Sequence, residues 1–167
     1  MTDDKSKTRQ DRAGEVGPIL VAVDFAPDSE AAVLWACDYA RCVGAGLVVL
    51  HVVHDPADAP GSYLKGQADL LRPMEDVATE MLDQFLERIV TANPRLDVLK
   101  DAERILVKGI PATRILEVAQ STGARLIVMG SRGRTGLPHL LLGSKAERVV
   151  QMAPIPVTIV KAGKSDD

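Results

Sequence analysis

Five short apolar runs separated by helical stretches constrain this chain more than any other feature. They are PILVAVDF (Pro18–Phe25), LVVLHVV (Leu47–Val53), ERILVKG (Glu103–Gly109), RLIVMG (Arg125–Gly130) and PVTIV (Pro156–Val160). Each is near-continuously apolar instead of alternating, the pattern of a strand covered on both faces. Between them the period changes. Ala32, Trp35, Ala36, Tyr39 and Val43 recur at helical spacing after Pro27, and Gly44 and Gly46 close that segment. Met74, Val77, Ala78, Met81, Leu82, Phe85, Leu86 and Ile89 form one long amphipathic stripe, stopped at Asn93-Pro94. A third helix has Pro111 near its start and Gly123 after its end, and a fourth opens at Ser144. The order βαβαβαβαβ predicts an α/β fold: an open parallel five-stranded sheet in a single domain, with helices on both faces. Right-handed crossovers leave few topologies. One of them, 3-2-1-4-5, would put strand 1 beside strand 4, with a ligand crevice between Asp24 and Gly130.

The 167-residue chain suits one domain, spanning about residues 17–162. Residues 1–16 are polar and read as a disordered tail, and 163–167 as a loose C-terminal tail. The N-terminus has no apolar signal core, and no apolar run is long enough to cross a bilayer. The expectation is a cytoplasmic protein. A net charge of −3 without a basic stripe argues against nucleic acid or an anionic membrane as partner. Cys37 and Cys42 have no metal-ligand spacing and read as small apolar helix residues. Asp55–Arg72, rich in Pro, Gly and Asp, reads as a loop at the ligand edge, expected to close over a bound molecule.

The stretch after the fourth run is the most informative. Its spacing, Gly130-x2-Gly133-x9-Gly143-Ser144, is neither the dinucleotide fingerprint nor a P-loop. It still holds the parts of a phosphate cradle. Glycines let the backbone approach an anion and take positive φ. Successive N–H groups can form an anion nest, and the helix that begins at Gly143-Ser144 directs its free N–H groups and dipole at the same place. Ser144 adds a hydroxyl, and Arg132, Arg134 and Lys145 add positive charge. A long surface loop followed by a capped helix would look the same, and these residues alone leave both readings open.

That motif resembles the nucleotide motif of the universal stress protein family, and the similarity extends from about Ile19 to Lys161. The resemblance implies a homodimeric, ATP-binding protein with sheet order 3-2-1-4-5. It implies that Ala22, Val23 and Asp24 line the adenine and ribose pocket, with Asp24 accepting from ribose hydroxyls. Val52 would pack on adenine. Met129 and Gly130 would lie beneath ribose and phosphates, and Gly133, Gly143, Ser144 and Lys145 would hold the phosphate chain, with Arg132 alongside. The ligand would be ATP or another adenine nucleotide, with any Mg²⁺ carried by the phosphates. The chain departs from the family pattern at Ala26, where a Ser or Thr is frequent, at Ile110 and at Lys145.

The function expected is that of a nucleotide-binding stress-response regulator, with an unidentified protein partner, that dimerises through Val157–Val160, an uncharged apolar edge. The alternatives are a slow nucleotide hydrolase using Asp24, His51, His54 or His139, and a nucleotide-independent dimeric module. A phosphoacceptor receiver domain is excluded because the third run ends in Lys108-Gly109 instead of an Asp.

Overall fold

The structure, a computed structural model, describes residues 16–54, 73–134 and 142–163. The polar tail up to residue 15, the Asp55–Arg72 loop, His139 and the tail beyond residue 163 lie outside the described residues. The elements run β1 (Ile19–Val23), α1 (Pro27–Val43), β2 (Leu47–Val53), α2 (Met74–Ala92), α3 (Asp97–Lys100), β3 (Glu103–Lys108), α4 (Pro111–Thr122), β4 (Leu126–Gly130), α5 (Ser144–Met152) and β5 (Val157–Val160). All strand pairings are parallel, in the order β3-β2-β1-β4-β5. This is the architecture expected from the alternation of runs and helices.

β1, β2 and most of β4 are buried throughout, so side chains on both faces need cover. Ile19, Val21, Val23, Val49 and Val128 pack against α1 and α2. Leu20, Ala22, Leu50, Ile127 and Met129 pack against α4 and α5. Truncating a fully buried side chain such as Ile127 to Ala should cost about 2–5 kcal/mol. Helices α1 and α4 each begin with proline and end on a glycine in the left-handed region, Gly44 at φ 65° and Gly123 at φ 66°. A side chain at either position would strain the backbone, so these two glycines set where the helices stop.

Two details differ from the sequence reading. The single turn α3 was not anticipated. It docks Leu99, 1% exposed, and four residues are too few to show a period. Cys37 is buried, but Cys42 is exposed on α1, so only the first behaves as a core residue.

The two sheet edges are unlike. β3 carries Glu103, Arg104 and Lys108, and its cations pair with α2 through Arg104–Asp83 (2.7 Å) and Lys108–Glu75 (3.0 Å). β5 is half-buried, with no charged residue, and pairs with β4 alone.

Candidate functional site

β1 lies between β2 and β4, so winding reverses at its carboxyl end, where an open α/β sheet leaves a crevice. There the chain turns sharply. Phe25 has φ 67°, the only positive φ at a non-glycine among the described residues. That conformation costs of order 1–3 kcal/mol. The Phe25 ring offsets it by packing 4.3 Å from His51 and 5.6 Å, edge-on, from Phe85, with the Arg134 guanidinium 5.9 Å away. The turn aims Asp24 into the crevice. Its Oδ1 accepts from Ser29 Oγ (2.6 Å) and the Ala26 amide (3.2 Å), while the Asp24 amide donates to Ser29 Oγ (3.0 Å). Ser29, buried inside the turn, holds Asp24 in place, while α1 itself has no side-chain cap at Ala26.

The glycines work by close approach. A Cβ on Gly133 would lie 2.8 Å from Asp24 Oδ2. One on Gly143 would lie 3.3 Å from the Ser131 carbonyl oxygen. One on Gly130 would lie 2.8 Å from the main-chain carbon of Asp28, so this glycine is needed for α1 to cross β4. The positive φ expected in this loop is not found at these three. Gly143 is extended at φ −71°, and the positive-φ glycines described are Gly44, Gly109 and Gly123.

Gly143 forms the N-cap of α5, its amide donating to the Ser131 carbonyl (2.7 Å). No side chain caps the helix. The first amides of a helix lack intrahelical partners and carry its positive dipole end. Ser144 and Lys145 are exposed there. His51 is 3% exposed, and its Nδ1 lies 2.8 Å from the Val23 carbonyl. Because a carbonyl only accepts, Nδ1 carries the hydrogen. Burial holds the imidazole below its ordinary pKa. The Val23 hydrogen bond and the Asp24 charge oppose this, and the charges of Arg134 and Lys145 reinforce it. Arg134 lies 5.9 Å from the Phe25 ring and Lys145 stands in the first turn of α5, so both cations flank the crevice.

The structure brings most of the predicted site residues to one edge. Ala22, Val52 and Met129 share the face covered by α4 and α5. Asp24 follows β1, Gly130 ends β4 with Arg132 and Gly133 just beyond it, and Gly143, Ser144 and Lys145 open α5. Val23 is the exception: its side chain is buried in the α1/α2 core, leaving only its main chain at the edge. Among the hydrolytic candidates, His51 lies beneath Phe25, and His54 follows the end of β2.

Sequence reasoning missed a buried polar pair. Asp28 (3% exposed) and Ser131 (0% exposed) are joined by a 2.6 Å hydrogen bond from Ser131 Oγ. Burial pushes the Asp28 carboxyl up, but hydrogen bonds from Ser131 and Ala162 and the Arg132 charge outweigh it and hold it below the ordinary value. An acidic residue in a first helical turn normally serves the dipole, and that reading conceals this one.

The chain is 29% identical over 157 residues to universal stress protein MJ0577 of Methanocaldococcus jannaschii, covering 88% of this chain and 96% of that one. It is 37% identical over 146 residues to a universal stress protein of Mycolicibacterium smegmatis, covering 86% of this chain but 45% of the relative, so it spans about half that relative's length. A universal stress protein from Archaeoglobus fulgidus, solved in complex with dAMP, shares the fold with TM-score 0.58 and 24% identity, over 87% of this chain and 98% of that one. Residues 15–161 match the Universal stress protein family, and on that match the chain belongs to it.

Proposed function

We propose that this protein binds an adenine nucleotide, ATP in the first place, at the carboxyl edge of β1 and β4, and acts as a dimeric stress-response regulator. The observation that carries the reading is the convergence of three features on one crevice. These are the space at Gly133 that a Cβ would close onto Asp24, the uncapped N-terminus of α5, and the cations Arg134 and Lys145. Together they suit a phosphate chain. The residues fit the ligand in type and place. Ala22, Val52 and Met129 form an apolar floor for adenine, and Asp24 is presented to the ribose. Gly130, Gly133, Gly143, Ser144, Lys145 and Arg132 surround the phosphates, which would bring any Mg²⁺ with them. The Archaeoglobus relative's complex with dAMP supports an adenine ligand.

β5 is the proposed dimer edge, because it lacks the charges that blunt β3. Hydrolysis is expected to be slow or absent. Asp24 Oδ1 is committed to its turn and His51 to Val23 and Phe25, so neither is placed as a dedicated base. The domain is proposed to span residues 17–162 and to work in the cytoplasm.

The test is mass spectrometry of small molecules released from the denatured protein, with calorimetric titration by ATP and an ATP-turnover assay. Released adenine nucleotide and saturable ATP binding are expected. Absence of both would favour the nucleotide-independent dimeric module. Several turnovers per second, lost on changing His51 or Asp24 with binding retained, would make the protein an enzyme.

A further inference from the structure

Asp28 forms a junction that the nucleotide reading does not use. The carboxylate sits on the first turn of α1, 3% exposed, yet it turns away from its own helix end. Oδ2 accepts from Ser131 Oγ (2.6 Å), the Arg132 amide (3.1 Å) and Arg132 Nε (3.4 Å). Oδ1 accepts from the Ala162 amide (3.0 Å). Every donor comes from more than a hundred residues away in sequence, and from two places only: the start of the glycine loop and the exit of β5. Ser131 spreads the connection. Its amide donates to Val160 at the end of β5 (2.8 Å), and its carbonyl accepts from Gly143, the cap of α5 (2.7 Å). Gly130 permits the approach, since any Cβ there would strike the Asp28 main chain. Burying a carboxylate is costly unless donors surround it. Here the donors come from the start of the glycine loop and from the exit of β5.

Resting on the nucleotide reading above, we infer that Asp28 is the positioning residue of the phosphate loop. Its carboxylate fixes Ser131–Gly133 against the cap of α5 and ties that arrangement to the exit of β5. The loop is thereby preorganised for the phosphates, and nucleotide binding is felt at Ala162. Asp28 itself touches no ligand. It faces protein donors on both oxygens.

The test compares ATP with adenosine, which lacks the phosphates. Wild type, Asp28→Asn and Ser131→Ala are titrated with both, and thermal melting confirms that each variant is folded. Asp28→Asn replaces one acceptor oxygen by a donor, so one of its clients loses its partner. Its ATP affinity is expected to fall tenfold or more while adenosine affinity stays within about twofold. Ser131→Ala, the milder change, is expected to lose ATP affinity three- to tenfold with the same selectivity, and it decides the matter if Asp28→Asn does not fold. Saturating ATP should also slow hydrogen exchange of the Ala162 amide in the wild type and leave it unchanged in Asp28→Asn. Equal losses for ATP and adenosine, or no loss for either, would mean a purely structural carboxylate and overturn this inference alone. So would an Ala162 amide in the wild type that does not respond to ATP. A wild type that binds no ATP overturns the nucleotide reading, and this inference with it.

Discussion

The Cβ of any residue placed at Gly133 would stand 2.8 Å from Asp24 Oδ2. That carboxylate cannot simply swing aside, because Oδ1 is held by Ser29 and Ala26. A side chain at 133 therefore competes for the space proposed for the phosphates and also disturbs the residue proposed for the ribose. Gly133→Val should abolish ATP binding in calorimetry. Without ligand its stability should fall by only about 1 kcal/mol, because the site is half-exposed and no positive φ is violated. ATP affinity equal to the wild type would remove the phosphate cradle from consideration.

The unequal sheet edges give a second expectation. By light scattering at micromolar concentration the wild type should run as the proposed dimer and Val157→Lys with Ile159→Lys as a monomer, and a monomeric wild type would reject the β5 pairing. Lysine on an edge strand opposes pairing with another copy. Both residues also pack partly against the α4/α5 core, so some loss of thermal stability accompanies the change. A dimer that survives the double substitution places the interface elsewhere.

Acid should weaken the fold through His51. Its folded pKa is depressed, chiefly by burial, while the unfolded imidazole titrates near 6.5. The unfolded chain therefore binds more protons below that value, so stability rises with pH in this window. The contribution of neutral His51 is complete above about pH 6.5. It is lost progressively as pH falls from there towards the folded value. The charged groups facing it are Asp24 on the turn after β1, Arg134 in the loop after β4 and Lys145 on α5. Urea unfolding of the wild type at pH 7.5 and pH 5 should show the loss, and His51→Gln should show less of it. Equal pH dependence in both proteins would exclude His51 as its source.

The two cysteines should react differently with a thiol reagent. Burial, aided by the Asp38 charge, pushes the Cys37 thiol up to about 11, and it is 2% exposed. Cys42 lies in solvent on the same helix. The native protein should take up one equivalent of label rapidly, and a second only on unfolding. Cys42→Ser should remove the rapid phase. Two rapid equivalents in the native state would contradict the packing of α1.

Much of this molecule is set by local chemistry and is legible in the chain. Apolar runs covered on both faces dictate parallel strands, and Pro27, Pro111, Gly44 and Gly123 set helix ends through φ alone. The glycine spacing marks the loop ahead of α5 and Gly143-Ser144 its start, although Gly143 is extended and its small size serves close approach to the Ser131 carbonyl. Other features have no signature in neighbouring residues because they arise between segments distant in sequence. Nothing near Gly130 or Gly133 says that each is small in order to clear a distant segment, Asp28 on the first turn of α1 in one case and Asp24 after β1 in the other. Val23 and Ala22 are adjacent and alike, yet the pleat sends one to each core, so only one side chain reaches the face carrying Val52 and Met129. Phe25 enters the left-handed region, against its own preference, because His51 and Phe85 are there to receive its ring. The partnership of Asp28, Ser131 and Ala162 exists only once β4 and β5 lie beside α1. Periodicity and turn chemistry act over a few residues and so belong to the sequence. Close approach, burial of charge and the partners of a buried carboxylate depend on long-range contacts, and the tertiary structure alone decides them.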